Sequence, residues 1–126
     1  MVQPQFCDHT IVSKNPDDYV EVQTSPASIL KVWKLSFFAH ELLNKDGSVK
    51  TESELSGDTL QKFIAASEAI KRGEELQKPI LGIGIYDGIE IGIGREIIAA
   101  AYHLGLSTIP ASIRKGQADE IQSFLN

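Results

Sequence analysis

Cysteine is almost absent from this chain: there is one, Cys7, among 126 residues, along with one tryptophan and one methionine. A lone cysteine excludes an internal disulfide framework and suits a reducing compartment. Long apolar runs are missing too; nothing approaches the roughly 20 consecutive apolar residues that span a bilayer. The first residues lack the basic-then-apolar pattern of a secretory leader, so a cytoplasmic protein with no membrane partner is expected. Basic charge is scarce, with 12 Lys and Arg against 17 Asp and Glu and a formal net charge of −5. Affinity for nucleic acid comes largely from neutralising phosphates, so this balance does not favour DNA contact. Metal-ligand spacing is also lacking: Asp8 and His9 are adjacent, and His40 and Glu41 pair with no third donor. No metal site is expected from either pair.

The remaining composition is that of a folded domain. Hydrophobic residues make up 42% and charged residues 23% of the chain, enough for one domain with a real core. Residues 79 to 113 organise it, reading as strand, tight turn, strand, helix, strand. Asp87-Gly88 lies between two isoleucine-rich runs and predicts a two-residue hairpin turn with positive φ at both positions. That register sets Tyr86 against Ile89, Ile85 against Glu90, Gly84 against Ile91, Ile83 against Gly92 and Gly82 against Ile93, so that each strand glycine faces an isoleucine. Gly94 then opens a helix whose buried side is expected to hold Ile97, Ile98, Ala101 and Leu104, and which ends at Gly105. Thr108 to Ile113 is expected to be a strand lying at an edge, or one with Pro110 off the ladder.

The flanks divide into an arm or added strand over residues 1–28 and a domain over residues 29–126, forming one domain in all. Asn15 to Asp18 marks a turn, Tyr19 to Val22 alternates as a short strand, and Ser25-Pro26 marks a second break. Ile29 to Leu35 alternates as a strand. Trp33, Phe37 and Phe38 are expected in the core, and Ser36 to Leu43 as a short helix. Asn44 to Ser48 is a turn and Val49 to Gly57 a surface loop. Asp58 is expected to cap a helix that buries Leu60, Phe63, Ile64, Ser67 and Ile70 and stops at Gly73. Glu74 to Lys78 links it to the hairpin, and Gln117 to Leu125 forms a closing helix.

The strand-to-helix junction is the expected place for chemistry. A helix N-terminus presents free N–H groups and the positive end of its dipole, and glycines before it let a phosphate approach the backbone. Gly92, Ile93, Gly94, Arg95 and Glu96 have that form. The alternative reading of the same residues is packing at Gly92 and a chain turn at Gly94, since a Gly-x-Gly pair lacks the third glycine of a dinucleotide fingerprint. Arg114 and Lys115 form the one local basic cluster. Glu90 and Glu96 are the candidate catalytic carboxylates.

The run from Gly94 to Ile113, with Leu104-Gly105-Leu106 and Ile109-Pro110, resembles the central box of the ParB N-terminal and sulfiredoxin superfamily. Lys78-Pro79-Ile80-Leu81 resembles the strand before that box. Residues Thr59 to Arg72 resemble the helix ahead of it, and Ile29 to Leu35 the family's opening strand. The resemblance covers roughly residues 29 to 125 and implies an α/β (α+β) fold, a small mixed β-sheet with packed helices. Family members that bind or cleave nucleotides carry further basic residues after the glycine, where this chain has Arg95, Glu96 and Ile97. Sulfiredoxins place a reactive cysteine directly after it, a position held here by Arg95, so thiolate chemistry there is excluded.

Three readings follow. The first, implied by the resemblance, is a nucleotide- or phosphate-binding accessory protein with a degenerate catalytic box. It would use Gly92 to Glu96, with Arg114 and Lys115 contributing if the last strand ends nearby. The second is a ParB-like nuclease or nucleotide hydrolase in which Glu90 or Glu96 holds Mg²⁺ with the substrate phosphates. The third is a non-catalytic protein-interaction module, either a homodimer or bound to another protein.

Overall fold

A computed structural model describes residues 4–85 and 87–125. The chain is mixed α/β, 48% helical and 24% strand. Its elements are β1 (Gln5–Cys7), α1 (Thr10–Lys14), β2 (Tyr19–Thr24), α2 (Pro26–Trp33), α3 (Gly57–Arg72), β3 (Glu75–Gln77), β4 (Ile80–Ile83), β5 (Ile89–Ile93), α4 (Arg95–His103), β6 (Ile109–Arg114) and α5 (Ala118–Leu125). The main sheet has the order β2-β6-β4-β5; β4 and β6 are parallel and the other neighbours antiparallel. β1 and β3 form a separate two-stranded parallel sheet.

Residues 29–35 are not a strand. Ser25 caps a helix, its hydroxyl accepting from the Ser28 N–H at 3.2 Å, and Pro26 occupies the first turn, where its missing N–H costs nothing. Ile29, Leu30 and Trp33 then share one buried face, a helical spacing that also looks like alternation over so short a run. The helix stops before Leu35, and the following residues supply only a 3₁₀ turn, Ala39–Glu41, instead of a helix from Ser36 to Leu43. The strand at Tyr19 runs on to Thr24 and forms an edge of the main sheet. The expected boundary between residues 28 and 29 falls inside α2.

The hairpin also differs from its expected form. The Gly84 N–H donates to the Gly88 carbonyl at 2.8 Å, and the Asp87 N–H to the Gly84 carbonyl at 3.0 Å. The connection therefore has three positions rather than two. Asp87 takes the left-handed conformation, φ 59°, and Gly88 does not. A three-residue hairpin needs one such residue at its end, and aspartate tolerates it better than most. Ile83 faces Ile89, Gly82 faces Glu90 and Leu81 faces Ile91; the register then shifts, so Ile80 faces Ile93 and Gly92 is the extra residue of a bulge. The expected glycine–isoleucine pairs are thus not formed, and the Tyr86–Ile89 pair lies outside the described residues.

β6 is not an edge strand. It lies between β2 and β4, with Ala111, Ser112 and Ile113 buried. Pro110 is accommodated because β4 pairs only with Ser112 and Ile113, leaving Pro110 opposite Gln23 of β2 alone. α3 begins at Gly57 with Ser56 as its cap residue; Asp58 lies in the first turn, where its charge suits the dipole. Gly73, at φ 69°, ends it as expected. α3 buries Phe63, Ala66, Ser67 and Ile70 and leaves Ile64 exposed. The segment 49–57 is not wholly superficial, since Leu55 is buried, and Glu74 to Lys78 contains β3.

One core joins the layers. Ile89 and Ile91 of β5, Ile109 and Ile113 of β6, Ile98 of α4 and Ile121 of α5 are fully buried in it, each contributing about 1.5–3 kcal/mol on burial. Ala99, Ala100 and Ala101 are buried with Ile98, so α4 lies close against its neighbours, while Ile97 and Leu104 are only partly buried. Lys78 ties the two sheets together: its ammonium lies 2.8 Å from Asp8, just after β1, and 2.5 Å from Glu21 of β2. Its hydrogen bonds to Asp8 and Glu21 hold its pKa above the usual lysine value. Among the described residues no helix is long and apolar enough to cross a membrane.

Candidate functional site

The junction between β5 and α4 is built around Gly94. Its φ of 94° is left-handed, and a Cβ there would stand 3.0 Å from the Cα and Cβ of Pro79. Only glycine fits both constraints without a backbone shift. This contact explains Gly94 by packing and chain direction.

Arg95, the first residue of α4, turns back toward β5. Its Nε donates to the Ile91 carbonyl at 3.4 Å, and a terminal nitrogen reaches both oxygens of Glu41, at 3.3 and 3.4 Å. The guanidinium lies 4.3 Å from the Phe38 ring centre and 5.6 Å from that of Trp33. The side chain is 22% exposed. The charge expected to greet a phosphate is therefore held by a carboxylate and two aromatic faces.

Glu90 completes the same cluster. One carboxylate oxygen accepts from the Trp33 indole N–H at 2.6 Å and from the Ile91 N–H at 3.0 Å; the other accepts from the Ser36 hydroxyl at 2.8 Å. Ser36 in turn accepts from the Phe38 N–H. Both main-chain polar groups of Ile91 are thus taken by side chains, Glu90 on the N–H and Arg95 on the carbonyl. β5 is the last strand of its sheet, and these bonds close that edge at Ile91 to another strand. The cluster clamps the 36–41 segment onto the β5–α4 junction.

The other candidates are dispersed. Glu96 lines an apolar cleft between α3 and α4, of about 490 Å³, with Lys62, Leu76, Ile93, Gly94 and Ile97. Gly92 and Arg114 meet in a shallow hollow of about 190 Å³ with Glu90 and Gln117, and Arg114 lies over the Tyr19 ring at 5.5 Å. Lys115 starts an exposed 3₁₀ turn, Lys115–Gln117. Glu90 and Glu96 line different hollows. Among the described residues no group of three His, Cys, Asp or Glu could hold a metal ion, and no buried side-chain polar atom lacks a partner.

The pairs set aside in the sequence have structural roles. His9 caps α1, its Nδ1 accepting from the Ile11 N–H, and Asp8 pairs with Lys78. His103 is exposed and bonds to the Lys50 carbonyl at 2.7 Å. The Cys7 thiol is pushed above its ordinary pKa by burial first, then by the hydrogen bond to Glu75 and its charge. That favours the neutral, unreactive form.

Phe37 and Phe38 correct the sequence reading most sharply. Expected in the core, they are 73% and 44% exposed; Leu35 is 67% and Ile85, at the hairpin tip, 89% exposed. Leu35 shares a hollow with Asp87 and Gly88, which brings the end of α2 and Leu35 beside the hairpin turn. Sequence reasoning also missed Trp33, Ser36 and Glu41 as partners of Glu90 and Arg95. Only the three-dimensional closure of residues 36–41 over β5 brings them together.

A scan of protein-family models gives no match to the chain, and searches of the curated proteins and of the solved structures give no significant match either.

Proposed function

We propose that this chain is a non-catalytic protein-interaction module that presents the 35–38 segment and the neighbouring hairpin tip to a partner. The observation that carries this reading is the exposure of Leu35, Phe37, Phe38 and Ile85 on adjoining segments. Large apolar side chains left in water on neighbouring stretches of chain are unfavourable unless something covers them. The clamp beneath supports the same reading. Glu90, Trp33, Ser36, Arg95 and Glu41 hold the segment in one conformation, which lowers the ordering cost of binding. Affinity capture from a native extract tests it: retention of a defined partner should be lost in Phe37→Asp and Ile85→Asp. It should persist in Ile64→Asp, which alters an exposed isoleucine on α3. Equal retention by all four proteins would overturn the reading.

A second reading keeps the phosphate site and the ParB-like resemblance. The N-terminus of α4 has no side-chain cap, and Lys62 lines the cleft beside it. The resemblance still supplies an order of elements, strand, helix, helix, hairpin, helix, strand, if β2 takes the opening place assigned to residues 29–35. In this form Lys62, not Arg95, supplies the positive charge. Titration calorimetry with nucleoside triphosphates and short DNA, with and without Mg²⁺, tests it. Binding lost in Lys62→Ala and kept in Arg95→Ala would favour it.

A further inference from the structure

We infer that the partner segment is an acidic peptide stretch carrying a large apolar anchor, seated at the C-terminal end of α2. The inference rests on the interaction-module reading above and names what the module recognises. Beside Leu35 lies a hollow of about 250 Å³ floored by Val32, Ile89 and Phe124. It is concave and apolar, with room for one leucine- or phenylalanine-sized side chain. Lys31 and Lys34 stand on its rim. Both are exposed, and among the described residues neither makes an ion pair.

The chain carries 17 acidic against 12 basic residues, so two unpaired lysines beside an apolar hollow reverse the general sign of the molecule. Asp87 also lines the hollow, and a second hollow that Lys34 and Leu35 share adds Lys45 and Asp46, so three lysines stand against two aspartates. The net local charge is positive. A rim of this sign steers and orients an acidic segment, while the apolar anchor supplies the contact area. A second copy of the chain fits less well. A two-fold contact centred on the hollow would bring two sets of these lysines together. An anionic membrane fits less well too, because the chain is acidic as a whole.

The test selects displayed random peptides on the immobilised full chain and measures binding of the enriched peptides by fluorescence anisotropy. Enriched sequences should combine Asp or Glu with a leucine or an aromatic residue. Their affinity should fall about tenfold in Lys31→Glu/Lys34→Glu, and it should weaken as salt is raised. Leu35→Asp should abolish it. The lysine variant should keep the parent's circular dichroism and urea midpoint. Lys31→Gln/Lys34→Gln should show a smaller loss of the same kind. Neutral or basic peptides that are indifferent to the lysine pair but lost in Phe37→Asp would overturn the acidic partner and leave the module reading standing. Peptides indifferent to Leu35→Asp, Phe37→Asp and Ile85→Asp alike would overturn both. Sedimentation with phosphatidylserine vesicles that the lysine variant loses, without any peptide enrichment, would overturn the peptide in favour of a membrane surface.

Discussion

Replacing Arg95 by alanine separates a clamp from an anion site. The substitution removes the contact with both oxygens of Glu41, the Nε bond to the Ile91 carbonyl and the stacking on Phe38 and Trp33. A hydrogen bond to a charged group is worth about 1.5–3 kcal/mol, and a cation over an exposed ring about 0.5–1 kcal/mol. The guanidinium and the Glu41 side chain are 22% and 29% exposed, so solvent screening discounts the sum. The expected loss of folding stability is about 2 kcal/mol. With a urea m-value of about 1–3 kcal/mol/M, the midpoint should fall by about 1 M with m unchanged. Trp33 is the only tryptophan and its indole N–H is bonded to Glu90 within the same cluster, so its fluorescence reports both the global transition and the local environment. Its native emission should shift to longer wavelength as Phe38 and the 36–41 segment loosen. An unchanged midpoint and unchanged native emission would refute the clamp.

The other expectations concern the turns and the ion pair at Lys78. Gly94→Ala should cost about 1–3 kcal/mol, because it combines a positive φ with a contact against Pro79; a thermal melt matching the parent's would contradict this. Asp87→Gly should be neutral or stabilising by up to about 1 kcal/mol, and Asp87→Val should destabilise by about 1–2 kcal/mol, since the left-handed residue is Asp87. The reverse ranking in urea would put the turn elsewhere. Lys78→Met should cost about 1 kcal/mol at neutral pH. In the parent, the raised Lys78 pKa contributes stability that is fully present below the ordinary value of 10.5. It is lost as the pH rises through the higher folded value. The alkaline decline should therefore be shallower in Lys78→Met, and identical pH profiles would contradict the pairing.

The sequence made the hairpin, α3, α4 and the closing helix legible because their signals are local. Gly73 at φ 69° ends α3, and isoleucine-rich runs flank a turn. Two failures share one physical origin. The stretch from Ile29 to Leu35 satisfies both a period of two and a helical period over so few residues. The Ser25-Pro26 start signal, read only as a break, was the deciding information. Likewise Asp87-Gly88 fits two hairpin types that differ by one residue, and the bulge that places Gly92 depends on how β4 and β5 pair along their whole length. At the candidate site, the glycine of the junction was legible but its cause was not. The fit of Gly94 against Pro79 is a contact between elements. Arg95 read as an outward charge because its partner Glu41 lies 54 residues away along the chain. Phe37 and Phe38 read as core by hydrophobicity alone, a cue that does not separate a buried aromatic from one left exposed.

The central claim is that recognition takes place at residues 31–38 and the hairpin tip, over a closed β5–α4 junction. Amide chemical-shift mapping tests it most directly, with titration first by an enriched acidic peptide and then by ATP with Mg²⁺. The account predicts that the peptide shifts Lys31 to Phe38, Ile85 and Asp87 to Ile89, and that ATP at about 1 mM, the range of weak binding, leaves Gly92 to Glu96 unmoved. Saturable shifts at Gly94, Arg95 and Glu96 with ATP, and none at Leu35 or Phe37 with any peptide, would contradict it.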